Sequence, residues 1–164
     1  KKTVRYILLS GHKYGHRIHS PFVYDLIRSA FRASNKVEVF SSIEKRRKAL
    51  LADSTEITIE DLGAGSKQMT SNVRTIQYVA RTSASRGKYA QLLYHLVEHY
   101  KPETILEMGT SLGIGTAYMA AGNKNAQLIT LEGAHSIAEQ AKETFRVCNF
   151  SHVQVIEGNF NQTL

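Results

Sequence analysis

Thr104-Ile105-Leu106-Glu107-Met108-Gly109-Thr110-Ser111-Leu112-Gly113-Ile114-Gly115-Thr116-Ala117-Tyr118-Met119-Ala120 is the stretch on which the reading of this chain turns. Thr104 to Met108 has the composition of a short buried strand. A glycine-rich turn follows, and then a run of small and apolar residues suited to a helix. Strand, glycine turn and helix in that order form a site for a nucleotide-like ligand. Glycines let the backbone approach the ligand, and a helix start offers N–H groups that lack partners. Gly109, Gly113 and Gly115 are spaced G-x-x-x-G-x-G, which departs from the G-x-G-x-x-G of dinucleotide sites. An acid, Glu107, stands just ahead of the first glycine.

Working outward, the carboxyl-terminal side alternates regularly. The strand at 104–108 precedes a helix over about 113–122, a turn at Asn123-Lys124-Asn125-Ala126, and a second strand from Gln127 to Leu131. Glu132-Gly133 ends that strand, a helix runs from about His135 to Asn149, and a third strand, Val153 to Glu157, ends in Gly158-Asn159-Phe160. This β-α-β-α-β order with short loops predicts a parallel sheet with crossover helices, an α/β Rossmann-like fold. Glu132 falls at the carboxyl end of the second strand. A ribose-binding acid is expected there, about 20 residues after the glycine turn, because a carboxylate has acceptors for both hydroxyls of a vicinal diol.

Glu107-x-Gly109-x-x-x-Gly113-x-Gly115 resembles the first motif of the class I S-adenosylmethionine-dependent methyltransferases. Ile105-Leu106-Glu107-Met108-Gly109-Thr110-Ser111 is most similar to the small-molecule O-methyltransferases of the catechol and caffeoyl-CoA type. The resemblance implies that the turn at Gly109, Thr110, Ser111 and Gly113 passes beneath the methionine part of the cofactor, with Glu107 facing its cationic end. Glu132 and Gly133 would meet the ribose, Asn159 the adenine amino group, and Phe160 the ring. Ser83 and Ser85 fall where the family covers the methionine end, and rank as secondary contacts. Two departures stand out: Gly115 replaces a frequent serine, and Gly133 gives little apolar cover to the adenine. His19-Ser20-Pro21-Phe22 and Asp61-Leu62-Gly63-Ala64-Gly65-Ser66 resemble a bacterial group of predicted methyltransferases.

The same resemblance implies an incomplete sheet. The family sheet has seven strands, and its metal-binding acids and catalytic base follow later strands. No catalytic residue and no metal ligand is therefore assigned here, and a divalent metal would be held by residues beyond Leu164. The expected division is a helical or cap region at 1–100 and the first half of an S-adenosylmethionine-binding domain at 101–164. Such a chain, alone, is expected to be inactive, with its first strand exposed along an edge.

Several other features compete with this reading. Ile57-Thr58-Ile59-Glu60-Asp61-Leu62-Gly63-Ala64-Gly65-Ser66 also reads as strand, acid and glycine turn, but no Asp or Glu occurs between Ser66 and Val97 to bind a ribose. The segment after it, with Val73, Ile76, Val79 and Ala80, reads as a helix. His95-Leu96-Val97-Glu98-His99 matches the inverted zinc-protease pattern H-x-x-E-H, within a helix whose Leu92, Leu93, Leu96 and Val97 argue for packing. His12, His16 and His19 could line one side of a helix as metal ligands, although Gly11 and Gly15 weaken that helix. Ser20-Pro21 is a helix start, followed by an apolar stripe of Phe22, Val23, Leu26, Ile27 and Ala30. Ser41-Ser42-Ile43-Glu44 has the form of a capping box, with Ile43, Ala49, Leu50 and Leu51 inward and the helix stopping near Asp53.

Composition narrows the function classes. The 164 residues are 42% hydrophobic and 9% aromatic, as in an ordinary globular domain. One cysteine, Cys148, excludes an intrachain disulfide and fits a reducing compartment, so a cytoplasmic location is expected. No apolar run reaches membrane-spanning length. The net charge of +7 raises a nucleic-acid partner or an RNA methyltransferase. Yet 17 of the 21 Lys and Arg lie in residues 1–100, dispersed except for Lys45-Arg46-Arg47-Lys48. Such dispersed charge gives a nucleic-acid partner little support, and the resemblance implies a small-molecule methyl acceptor instead. An NAD-linked oxidoreductase is the other enzyme class considered, and the glycine spacing disfavours it. The oligomeric state is not legible.

Overall fold

A computed structural model describes residues 20–31, 38–59, 72–85 and 87–163. The His12, His16 and His19 group and the Asp61-x-Gly63-x-Gly65 turn lie outside the described residues. Helix α1 (Pro21–Leu26) continues into a π-helical turn, Ile27–Phe31. Then come α2 (Val39–Ala52), β1 (Glu56–Thr58), β2 (Val73–Thr75), α3 (Ile76–Thr82) and α4 (Gly87–Tyr100). The second half is β3 (Thr104–Met108), α5 (Ile114–Gly122), β4 (Gln127–Glu132), α6 (His135–Val147), β5 (Val153–Glu157) and the short α7 (Phe160–Thr163).

The three later strands form one parallel sheet in the order β3-β4-β5, as the alternation predicts. Register sets Glu107 beside Thr130, Met108 beside Leu131, and Glu132 beside Glu157. Because side chains alternate along a strand, Ile105, Glu107, Leu128, Thr130, Val153 and Val155 share one face. Their apolar members pack into the main core with α5 and α6. The opposite face carries Leu106 and Met108, which are 54% and 56% exposed. Within the described residues β3 pairs with β4 alone, so it forms an edge of this sheet.

Helix α5 is the hub. Ile114 through Ala120 are all buried, and α5 packs against α4, α2 and α6. Such a helix cannot be amphipathic, which explains its apolar composition on every side. Phe40 joins α2 to this centre, with ring centroids 4.9 Å from Tyr94 and 5.0 Å from Tyr118. Both buried phenols keep a hydrogen-bond partner: Tyr118 donates to Glu44 at 3.0 Å and Tyr94 to Glu98 at 2.8 Å.

Several local expectations are corrected by the packing. Ser41 does not start α2, which begins at Val39 with Glu38 as its cap. Its hydroxyl donates to the Glu38 carbonyl, and Glu44 instead pairs with Arg47 at 2.8 Å and accepts from Tyr118. Ala49 is exposed, whereas Ile43 and Leu50 are buried. Val73 is in β2, not in a helix; α3 begins at Ile76, capped by Thr75, whose side chain accepts from the Tyr78 N–H. Ser20 caps α1 as expected, but Phe22 is 63% exposed and only Ala30 of that stripe is buried. The basic run is partly consumed internally, since Arg46 donates to Thr144 and Gln140 of α6. Among the described residues, no helix is long and apolar enough to cross a membrane.

Gly113 caps α5 in a left-handed conformation, φ +77°, and a Cβ there would lie 2.8 Å from the Phe145 ring. Both the backbone strain and the collision oppose any side chain. Gly113→Ala is expected to destabilise the fold by about 2 kcal/mol, read from the denaturant midpoint.

Candidate functional site

The glycine turn leaves β3 at Gly109, which takes φ +94° and has nothing within 4 Å of where a Cβ would stand. Backbone therefore faces open space on that side, as a ligand cradle requires. The turn is fastened to β4 beneath it: the N–H groups of Gly109 and Thr110 both donate to the Leu131 carbonyl, at 2.9 and 3.1 Å. Ser111 follows at φ +50°. Its N–H donates to Glu132 Oε2 at 2.9 Å, while its own Oγ is buried with no hydrogen-bond partner among the described residues. A buried hydroxyl without a partner is costly, and a polar ligand in the turn would supply the missing bond.

Glu132 ends β4. Its Oε1 accepts from the Ala134 N–H at 3.1 Å and its Oε2 from Ser111, so each oxygen keeps one lone pair for a further donor. Gly133 lies half-buried between Glu132 and Ala134. Glu107 is the penultimate residue of the neighbouring β3, with Oε2 accepting from Thr116 at 2.5 Å and Thr130 at 2.7 Å. Burial pushes its carboxyl above the usual range, the two threonine hydroxyls oppose that, and the nearby charge of Glu132 adds to it.

The remaining expected residues are placed unequally. A Cβ at Gly115 would lie 2.9 Å from Ser85 Oγ and 3.5 Å from Glu107 Oε1, so Ser85 and Glu107 converge on α5 at this glycine. That close approach explains the departure from serine at position 115. Ser83 is exposed at the C-cap of α3, with its hydroxyl 3.4 Å from that of Thr82. Asn159 turns its side-chain oxygen to the Asn161 N–H at 3.0 Å, which starts α7 and leaves its amide N–H₂ free of that turn. Phe160 is half-buried as the first residue of α7. Gly158 adds an unexpected tie, φ +133°, donating to the Glu132 carbonyl at 3.0 Å.

Thr116 and Thr130 were not expected at the site. Their signal in the sequence is a hydroxyl within otherwise apolar runs, such as Leu128-Ile129-Thr130-Leu131. Fully buried hydroxyls of that kind need a partner. The H-x-x-E-H pattern does not assemble. His95 is 3% exposed beside Phe40 and Tyr94, whereas His99 Nε2 lies 2.7 Å from Asp25 Oδ2 on α1. Among the described residues His135, Glu139 and Glu157 offer ligand atoms within 4.8 Å of one another. Lys142 Nζ already donates to Glu139 at 2.8 Å and to Glu157 at 2.5 Å, so an ammonium takes the place a metal would need.

No protein-family model matches this sequence, and no curated protein matches it either. Solved structures do match in fold. An O-methyltransferase from Bacillus cereus in complex with SAH aligns with TM-score 0.54 at 20% identity, over 86% of this chain and 52% of that one. The SAH-bound methyltransferase PaMTH1 of Podospora anserina aligns with TM-score 0.56 at 16% identity, over 88% and 54%. The fold is thus the Rossmann-like α/β fold seen in these two structures. The chain spans about half the length of these structures.

Glu107→Gln keeps an acceptor for Thr116 and Thr130 but removes the buried charge. The raised carboxyl of Glu107 means that its stabilising contribution is full below the ordinary value of 4.5 and is lost as pH rises through the raised one. The ligand-free variant should therefore melt higher than the unaltered protein at pH 7, with the gain vanishing in acid. Thermal scans across pH measure it.

Proposed function

We propose that this chain is the cofactor-binding portion of an S-adenosylmethionine-dependent methyltransferase that methylates oxygen in a small molecule in the cytoplasm. Residues 101–164 are read as the first half of the cofactor domain and residues 1–100 as its helical cap. The observation that carries the proposal is the pairing of two strand-end acids across an open glycine turn. Glu107 lies two residues before Gly109 and Glu132 holds the Ser111 N–H after it, and among the described residues the buried Ser111 hydroxyl has no partner.

Each group then has a task. Glu132 keeps a lone pair on each oxygen for the two ribose hydroxyls, while its bonds to Ser111 and Ala134 hold the turn in place. Glu107 offers a carboxylate to the cationic end of the ligand, and Ser111 a hydroxyl. Asn159 offers the remaining lone pair of its amide oxygen to the adenine amino group, and Phe160 apolar surface to the ring. Gly109 keeps a Cβ atom out of the space that the methionine end would fill. When bound, S-adenosylmethionine supplies an electrophilic methyl on a sulfonium. The residues described here bind and orient it, and catalysis of such a transfer is mainly positioning and electrostatics. The SAH named with the two matched structures supports the same ligand class.

Calorimetry should show S-adenosylhomocysteine binding more tightly than NAD. Binding of NAD without S-adenosylhomocysteine would refute the proposal. Glu132→Ala should weaken S-adenosylhomocysteine by about 1–3 kcal/mol, the range for bonds to a charged acceptor.

A further inference from the structure

We propose that Thr116 and Thr130 are positioning residues that commit one oxygen of Glu107 to the protein and leave the other for the ligand's cationic end. The inference rests on the site reading above and assigns residues that the glycine motif does not contain.

A proton inventory gives the direction of the network. Each hydroxyl has a single proton to donate. Thr130 gives its proton to Glu107 Oε2 at 2.7 Å, so at the 2.6 Å contact between Thr110 and Thr130 the donor must be Thr110. Thr116 donates to the same Oε2 from α5. Three hydroxyls, from the glycine turn, from α5 and from β4, are therefore polarised toward one carboxylate oxygen. All three side chains are buried, so each bond is made away from competing water.

The other oxygen is treated differently. Among the described residues Oε1 accepts no hydrogen bond, and it lies on the side of Gly115 and Ser85. The hydroxyls favour the ionised acid, opposing burial and the charge of Glu132, which still leave its carboxyl raised, while geometry keeps Oε1 available. Valine in either position has nearly the same shape and would fill the same space. It would leave Glu107 short of a donor, so the acid would neutralise or turn toward another partner, and a cationic group would lose its counter-charge.

The test compares two ligands on the intact protein by calorimetry. S-adenosylhomocysteine carries the ammonium end; 5′-methylthioadenosine keeps the nucleoside and thioether but lacks it. Thr130→Val and Thr116→Val should each weaken S-adenosylhomocysteine about ten-fold or more, as loss of a bond to a charged group does, and move 5′-methylthioadenosine by less than about two-fold. Thr130→Ser and Thr116→Ser, which restore the hydroxyl, should recover most of the loss. Equal weakening of both ligands, or failure of the serine variants to recover binding, would overturn the inference. If Thr130→Val does not fold, Thr116→Val and the two serine variants carry the same comparison. Absence of S-adenosylhomocysteine binding by the unaltered protein is a separate outcome, which overturns the functional reading and this inference with it.

Discussion

Two carboxylates at the ends of neighbouring parallel strands repel each other, and the site depends on how that repulsion is met. Parallel pairing with Glu107 beside Thr130 fixes the two strand ends together, so Glu107 and Glu132 cannot separate without breaking the register. No lysine or arginine is found bonded to either acid among the described residues. Each is instead met by hydrogen-bond donors: hydroxyls for Glu107, and the Ser111 and Ala134 N–H groups for Glu132. Neutral donors stabilise the charge without cancelling it. What results is a pair of acids that keep their charge, where an ion pair would have neutralised it.

The helical half serves that arrangement through α5. The first turns of α5 carry Thr116 toward Glu107 and Tyr118 toward Glu44, so one buried helix links the acid to α2. Gly113 and Gly115 allow α6 and Ser85 to come close, and Gly122 does the same for α4. Thr144 extends the tie from α6, donating to the Leu112 carbonyl at 2.8 Å within the turn. The glycines thus have two separate uses. Gly109 opens a face to a ligand, whereas Gly113, Gly115 and Gly122 close faces between elements.

Elsewhere, charge is arranged for packing. Arg46 reaches α6, Arg47 pairs with Glu44, and Lys142 bridges Glu139 and Glu157. Of these, Arg46 bonds to neutral groups and so engages, inside the fold, part of the basic excess that composition alone would assign to a nucleic-acid surface. The Asp25 carboxylate is held below its usual range by His99 first, and by Ser29 and Tyr100, which fastens α1 to the end of α4. Strands β1 and β2 pair antiparallel, in a sheet apart from the parallel one.

By itself the sequence determined the β-α-β-α-β order, the bounds of β3 and β5, the glycine turn and the two strand-end acids. These rest on local regularities: apolar periodicity, glycine at turns, and acids at strand ends. Only the tertiary structure decided what those acids touch. The donors on Glu107 come from Thr116 and Thr130, 9 and 23 residues away, and their convergence follows from strand register and helix placement. For the same reason the helix start at Ser41 and the inward face of α1 were misread. Capping boxes and apolar stripes are local signals, but Glu44 and Phe22 take their places from neighbours far along the chain, Tyr118 and Tyr100. Local chemistry proposes partners within a few residues, and packing chooses among those a whole fold away.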